Sequence, residues 1–494
     1  MSNLASLKNY DVVIIGGGVI GTAILHSLSQ LQLSIALLEK EAEISFGTTK
    51  ANSGIVHAGF HSKPGTLKAK TCVEGARMYP KLCENLKVPF KQNGVLMVAF
   101  DKKQLTDLEF YQEQGRQNGL FDLQILSQDE LKKLEPNLSK NIVAGLFAPN
   151  GGIVSPFELA IAQGENAKNN GAEIFCSSEV LSMEEKGSHI LITTNRGKFL
   201  TKIVINCAGL HADSIARLLG DYSFTIKPRK GEEYLLDKRV GDLVNSTIFP
   251  LPTPTSKGIL IIPTVHGNLM LGPTAEELDQ RDDFSTTSLG FEQIYSFCTK
   301  MVNGLEKKDL IASFAGIRAA SDRGDFIIEF SPTVSQLINV AGIESPGLTA
   351  APYIGEMVKE MVRDKLASTG QKVEKKPDFN AVLPKKLRFS ELSTEELKEA
   401  IAKDKRFAHI ICRCEMVSEA EIVEAINNGA RTLDGIKLRT RAGMGRCQGG
   451  FCTPKIIKIL SRELNMPPSE ITKRGNESFL VPYLAKELIE RKEQ

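Results

Sequence analysis

Apolar residues fall into alternating strand-like and helix-like spacings over the first three-quarters of the chain. Asp11-Val12-Val13-Ile14-Ile15 is a β-branched run, as expected of a strand buried on both faces. Gly16-Gly17-Gly18-Val19-Ile20-Gly21 follows at once, then a helical stretch over residues 19–30, then a second apolar strand, Ser34-Ile35-Ala36-Leu37-Leu38, which ends in Glu39. Strands, turns and helices go on alternating to about residue 370, the pattern of an α/β core with a second layer.

From residue 368 to about 405 the chain turns polar and lysine-rich, with Pro377, Pro384 and Lys385-Lys386. Residues 371–407 read as a linker laid on the surface of the first domain. One short helix is expected there, with Ser393 or Thr394 as N-cap and Glu395 and Glu396 in its first turn. A small domain over residues 408–462 follows. The helical tail, residues 463–494, contains an amphipathic stretch at 483–491 that could pack on the body or contact a partner.

Composition removes several classes. The chain has 494 residues, enough for two to four domains. Its formal net charge is only +2, so no overall field draws nucleic acid, and none is expected as a partner. Residues 1–8 lack the basic start, apolar core and cleavage site of an export signal. No apolar run is long enough to span a bilayer. A cytoplasmic location is expected, compatible with peripheral attachment at the inner face of a membrane through a partner. Of nine cysteines, Cys72, Cys83, Cys176, Cys207 and Cys298 are scattered, whereas Cys412, Cys414, Cys447 and Cys452 are concentrated near the end. Without an export signal such a cluster reads as metal binding before disulfides.

The N-terminal motif has a physical task for each part. Gly16 permits a tight turn, Gly18 lets a pyrophosphate approach the backbone, and Gly21 lets the helix pack closely on the strand. The helix N-terminus offers free N–H groups and a positive dipole end to phosphates. Glu39 lies 18 residues past Gly21, where a carboxylate can accept from a ribose hydroxyl. This fingerprint alone does not separate NAD from FAD.

The segment after Glu39 crowds small, hydroxylated and glycine residues together: Thr48, Thr49, Asn52, Ser53 and Gly54, then Ile55-Val56-His57-Ala58-Gly59-Phe60. Such a stretch can lie against a flat cofactor. From Gly16 to Phe60, and over most of residues 8–365, the chain resembles the D-amino-acid-oxidase-type FAD oxidoreductases. The most similar branch holds glycerol-3-phosphate dehydrogenases and oxidases alongside L-2-hydroxyglutarate dehydrogenases. The resemblance implies an α/β fold in which an FAD-binding Rossmann-like domain is interleaved with an antiparallel-sheet substrate domain. The substrate domain would draw on residues 67–150 and 227–324, all within residues 1–370. It implies that His57 lies at the flavin as the base. Histidine titrates near neutrality and can take an alcohol proton. The residues themselves leave open a structural histidine or a covalent flavin link. The resemblance also puts Val180, at the end of a strand, near the adenine, and Ala208 and Gly209 near the phosphates. Gly347, Leu348 and Thr349, opening a helix that runs to about Arg363, would face the pyrimidine ring. That positive helix end would stabilise anionic reduced flavin.

Two basic positions suggest an anionic substrate. Lys257 precedes the strand Ile259-Leu260-Ile261-Ile262, and Arg318 sits in the small, apolar setting Ala315-Gly316-Ile317-Arg318-Ala319-Ala320. An arginine so placed needs an anion or an internal salt bridge. The resemblance puts both in the substrate site, with Ser53 and Ser345 as polar contacts. A small anionic alcohol is the expected substrate; chemistry alone does not separate sn-glycerol 3-phosphate from a 2-hydroxy acid.

The four clustered cysteines read Cys412-Arg413-Cys414, then 32 residues, then Cys447-Gln448-Gly449-Gly450-Phe451-Cys452. Four thiolates can hold a [2Fe–2S] cluster; zinc is the alternative, although zinc sites more often use C-x2-C pairs. An acidic helix over residues 418–427 and the basic stretch with Lys437, Arg439, Arg441 and Arg446 lie between. Those cations could offset cluster charge or meet a partner. The segment resembles the bacterioferritin-associated-ferredoxin-like [2Fe–2S] domain. This extension resembles that of the large subunit of anaerobic glycerol-3-phosphate dehydrogenases, and the resemblance implies a dehydrogenase of sn-glycerol 3-phosphate that exports electrons to a second flavoprotein or a membrane-associated subunit. Its rivals are a 2-hydroxy-acid dehydrogenase, an amine or amino-acid oxidase, and a non-catalytic electron-transfer subunit.

Overall fold

The computed structural model describes residues 7–252 and 258–483. They form two compact units. The first runs to Lys40 and resumes over Ile44–Leu383; the second joins Glu41–Glu43 to the chain from Pro384 onward.

The first unit has two large sheets. Its parallel layer is built from β1 (Lys8–Ile15), β2 (Ile35–Leu38), β3 (Glu173–Phe175), β4 (Gly197–Asn206) and, far along the chain, β7 (Leu337–Ala341). They lie in the order β3-β2-β1-β4-β7, all neighbours parallel. Val12, Val13 and Ile14 are wholly buried, which is why the run lacks the alternation of a one-sided strand. Helix α1 (Val19–Leu28) buries eight of its ten residues. It lies against α3 (Pro156–Asn169) and α4 (Gly347–Ser368), and α2 (Leu67–Leu86) crosses α4 in turn.

The second sheet has nine strands drawn from residues 95–148 and 226–321. Its spine is the antiparallel pair β5 (Ile226–Leu236) and β6 (Leu310–Ser321), in register from Ile226↔Ser321 to Leu235↔Ala312, with a shift before Leu236↔Leu310. One parallel pairing, Thr247–Pro250 with Val95–Ala99, interrupts an otherwise antiparallel sheet. Successive residues of Val95–Ala99 alternate between two cores, Val95, Met97 and Ala99 on one face and Leu96 and Val98 on the other, so the strand is apolar throughout.

Several bounds differ from the sequence reading. Strand β4, whose sequence suggests a start near Thr201, begins at Gly197 because its first half pairs with His189–Thr194 as well as with β1. Helix α4 runs on to Ser368. Val180 opens a strand, Val180–Lys186, rather than ending one. The chain leaves β3 at Phe175 and reverses through Ser177 at φ +52°; a hydrogen bond from Glu179 N to the Asn195 side chain then aligns the next hairpin.

The segment read as a linker divides. Residues 371–383 lie on the first unit, where Gln32 N donates to Glu374 O (2.9 Å), Lys376 N to Gln30 O (2.8 Å) and Leu383 N to Asn85 O (3.0 Å). Residues from Pro384 belong to the second unit. Its helix α5 (Thr394–Lys403) is capped by Ser393 in a reciprocal box with Glu396. The hairpin Ile410–Cys412/Val417–Ser418, α6 (Glu419–Asn427), α7 (Leu433–Thr440) and α8 (Thr453–Leu464) enclose an isoleucine-rich core including Ile411, Ile422, Ile436, Ile456 and Leu460. Ile471 closes that core. Apart from Tyr483, the amphipathic stretch 483–491 lies outside the described residues. Among the described residues no helix is long and apolar enough to cross a membrane.

Candidate functional site

The phosphate-binding turn is shaped by contacts that leave no room for side chains. Gly16 has φ +109°, a left-handed value that favours glycine. An ideal Cβ there would overlap the Cys207 carbonyl oxygen and lie 3.2 Å from Ala208 Cα. At Gly21 it would overlap the carbonyl oxygen of Gly16. The turn is therefore wedged between β1, the end of β4 and the start of α1. Helix α1 begins at Gly18 without a side-chain cap of its own and with no acid in its first turn. The Thr49 hydroxyl, from the following segment, takes the Val19 N–H at 2.9 Å. Glu39 is held beside the turn by Gly17 N, which donates to its Oε2 at 2.6 Å. Gly16, Gly18, Gly21, Glu39, Thr49 and Ala208 thus come together around one turn. Gly209 begins a short 3-10 turn just beyond Ala208. Val180 and Ala208 pack on one apolar cluster with Ile15 and Leu38.

The histidine segment is tied to the N-terminus of α4. His57 N donates to Thr349 Oγ1 at 2.9 Å, and Thr349 Oγ1 donates to Ile55 O at 3.3 Å. Cys72 Sγ lies 3.7 Å from the His57 carbonyl. The His57 backbone is thereby pinned from α2 and α4, while its side chain is only half-buried. Gly54 N donates to Asn52 Oδ1 (2.8 Å), and Thr48 Oγ1 donates to Ile317 O of β6 (2.7 Å). This last bond joins the cofactor-side loop to the second sheet. Helix α4 starts after Ser345 and Pro346 with no side-chain cap and no first-turn acid, so its N–H groups and positive end face the His57 segment unneutralised by its own residues.

Arg318 lies on the face of β6 that continues across β5. Gly231, opposite Gly316 in register, makes the space: a Cβ there would lie 3.0 Å from the guanidinium carbon. Arg318 donates to Lys230 O (3.3 Å) and Thr274 O (3.1 Å); these bonds use two of its five N–H groups. Burial pulls its pKa down, against Glu233 and Glu344, which hold it up. Glu344 itself bonds Lys68 at 2.8 Å and lies 3.9 Å from Arg229.

Glu233 escaped the sequence reading. Strand alternation sends the adjacent acids to opposite faces: Glu232 takes the Tyr234 hydroxyl and Thr287 N, while Glu233 Oε1 takes a short hydrogen bond from Ser53 Oγ. Burial lifts the Glu233 carboxyl to about 7, against the pull of Ser53 and Arg318. Its signal was a pair of acids ahead of the apolar Tyr234-Leu235-Leu236, one of which had to point inward. Lys257 lies outside the described residues.

The four cysteines of the second unit face one another in pairs. Cys412 accepts from the Cys452 thiol, which draws Cys412 down to about 6 and pushes Cys452 up; Cys414 and Cys447 are hydrogen-bonded in the same way. Backbone N–H groups converge on the sulfurs: those of Gly443, Glu415 and Cys414 on Cys412, and those of Phe451 and Gly449 on Cys447. Such donors stabilise thiolates and tune an iron–sulfur centre. Among the described residues no group of three or more His, Cys, Asp or Glu side chains is disposed to hold a metal ion. Two facing thiol pairs suit a two-iron cluster better than one tetrahedral ion. The basic stretch is not one cationic face. Arg441 is paired with Glu415 at 2.9 Å and Arg439 with Glu43 at 2.9 Å, because both side chains turn inward and need carboxylates there. Arg446, Arg413, Cys414 and Phe451 are exposed.

Residues 11–361 match the family model described as FAD dependent oxidoreductase, and residues 410–462 match the BFD-like [2Fe-2S] binding domain. The glycerol 3-phosphate dehydrogenase of Caloramator mitchellensis is 48% identical over 474 residues, covering 96% of this chain and 98% of that protein. An L-2-hydroxyglutarate dehydrogenase of Indibacter alkaliphilus is 32% identical, over 71% of this chain and 98% of that one. Among solved structures, dithionite-reduced L-alpha-glycerophosphate oxidase from Mycoplasma pneumoniae with FAD bound matches with a TM-score of 0.70 at 32% identity, covering 76% of this chain and 100% of that one.

Proposed function

Because the chain belongs to the FAD-dependent oxidoreductase family and carries a BFD-like [2Fe-2S]-binding domain, we propose that it oxidises sn-glycerol 3-phosphate to dihydroxyacetone phosphate and exports the electrons through the cluster. The observation that carries this reading is the similarity to a glycerol 3-phosphate dehydrogenase over 96% of the chain, both units included. A relative acting on L-2-hydroxyglutarate matches only 71%.

The amides of the Gly16–Gly21 turn and the open end of α1 hold the FAD phosphates, and Glu39 takes ribose hydroxyls. Thr48, Thr49, Asn52, Ser53 and Gly54 would hold the flavin together with Gly347, Leu348 and Thr349 at the start of α4. FAD, when bound, supplies the two-electron acceptor for the carbon-bound hydride. Arg318 and Lys257 bind the phosphate, with Ser53 and Ser345 as polar contacts. An imidazole nitrogen of His57 takes the proton of the secondary hydroxyl. The positive end of α4 favours negative charge on the ring side of the site. Cys412, Cys414, Cys447 and Cys452 ligate the cluster, which supplies a one-electron exit toward a second flavoprotein or a membrane-associated acceptor subunit. The exposure of Cys414 and Phe451 supports an exit at that edge.

Anaerobic titration tests the reading, with flavin absorbance and the electron paramagnetic resonance of the reduced cluster followed together. Glycerol 3-phosphate should bleach the flavin and bring up the cluster signal. Bleaching by L-2-hydroxyglutarate, with glycerol 3-phosphate inert, would overturn the assignment.

A further inference from the structure

Glu233 is a buried acid with an incomplete set of partners. Oε1 is engaged by Ser53, while Oε2 is buried with no hydrogen-bond partner. An ionised carboxylate is costly to hold in that state, because one oxygen has lost water without replacement. The positive group acting on it is Arg318, whose guanidinium lies over Gly231, two residues before Glu233 on β5. Glu344, the other acid acting on Arg318, is already met by Lys68 and Arg229. Glu232, its neighbour on the strand, points to the opposite face and Thr287.

We propose that Glu233 is a positioning residue that takes up a proton when the anionic substrate docks on Arg318, and that its protonation turns Ser53 from an acceptor into a donor toward that substrate. This rests on the substrate reading above. With Glu233 ionised, the Ser53 hydroxyl spends its hydrogen on Oε1 and offers only lone pairs to a ligand. With the proton on Oε1, Glu233 donates to Ser53 Oγ, and the Ser53 hydrogen is released to a phosphate oxygen. The arriving anion competes for Arg318, removes the charge that favours ionised Glu233, and repels it directly. Burial, set against the pull of Ser53 and Arg318, already places this carboxyl at about 7, so relief of the Arg318 pull favours its protonation near neutrality.

The test is calorimetric binding of dihydroxyacetone phosphate to the oxidised holoenzyme, in two buffers of different ionisation enthalpy, from pH 7 to 9. At pH 8 the wild type should take up close to one more proton per site than Glu233→Gln. Its Kd should weaken by up to about tenfold per pH unit above 7, while that of Glu233→Gln stays level. Ser53→Ala removes a bond that holds the carboxyl down, so it keeps the proton uptake and moves the break in the profile to higher pH. Equal proton uptake in wild type and Glu233→Gln overturns the proposal. If Glu233→Gln does not retain FAD, a level wild-type profile from pH 7 to 9 overturns it equally. Failure of the ketone phosphate to bind, with glycerol 3-phosphate unable to reduce the flavin, instead removes the substrate reading and is distinguishable from both.

Discussion

Replacing Gly75 by alanine sets two effects of opposite sign against each other. Gly75 lies inside α2, where alanine's higher helix propensity would stabilise the protein by about 1 kcal/mol. At this position α2 crosses the first turn of α4. An ideal Cβ would overlap the Thr349 carbonyl oxygen, with Thr349 C at 3.0 Å and Ala350 Cα at 3.1 Å. All three neighbours are backbone, so none can rotate away, and relief requires the helices to part by roughly 1 Å in a packed core. Overpacking of this kind costs about 3 kcal/mol at the upper end of its range. One turn further on, the buried Tyr79 hydroxyl donates to Leu348 O at 2.5 Å; stretching that bond costs about 1 kcal/mol more. The net expectation is a loss of about 3 kcal/mol, or a Tm lower by about 4 °C for a unit of this size. The same shift drags Thr349 Oγ1, which holds His57 N, so anaerobic flavin reduction should slow by about 10- to 100-fold. Flavin fluorescence during thermal unfolding reads the first quantity and stopped-flow absorbance the second. Gly115→Ala is the control, since its Cβ would meet only side-chain atoms of Leu123 and Phe60 and should cost less. A Gly75→Ala protein as stable as the parent, reducing its flavin at the parental rate, would show that the crossing has slack and refute the argument.

Gly21→Val should yield protein with under about a tenth of the normal flavin-to-protein absorbance ratio, because α1 cannot approach the Gly16 carbonyl and still offer its N–H groups to phosphate. Cys447→Ser should abolish the signal of the reduced cluster while leaving FAD content intact, as the two cofactors belong to different units; retention of an unaltered signal would remove Cys447 from the ligand set. Glu233 is raised in the folded protein to about 7 from an ordinary 4.5, so the folded state binds the extra proton. Its stabilising effect is complete below pH 4.5 and is lost as pH rises to 7, a span of about 3 kcal/mol. Urea unfolding of wild type and Glu233→Gln at pH 5 and pH 8 should therefore show the wild type losing more stability over that interval, and parallel losses would count against the assignment.

Elements with local signals are legible in the residues alone. The β-branched run of β1, the glycines after it and Glu39 at the end of β2 encode a phosphate turn through short-range sterics, and the spacing of Cys412, Cys414, Cys447 and Cys452 encodes a thiolate site. Such features are carried by short motifs, the glycine turn directly after β1 and two cysteine pairs each within six residues, so they survive without knowledge of the fold. Tertiary structure alone decided what depends on strands distant in sequence. It paired β5 with β6, putting Arg318 over Gly231 and Glu233 against Ser53, 180 residues away. It joined His57 to Thr349 across 292 positions, turned Val180 into the start of a strand, and consumed Arg439 and Arg441 in internal ion pairs. The physical reason is common to all of these: whether a charged or polar side chain serves a ligand or the protein itself is settled by which partners long-range packing brings within hydrogen-bond reach, and no local pattern of residues carries that information.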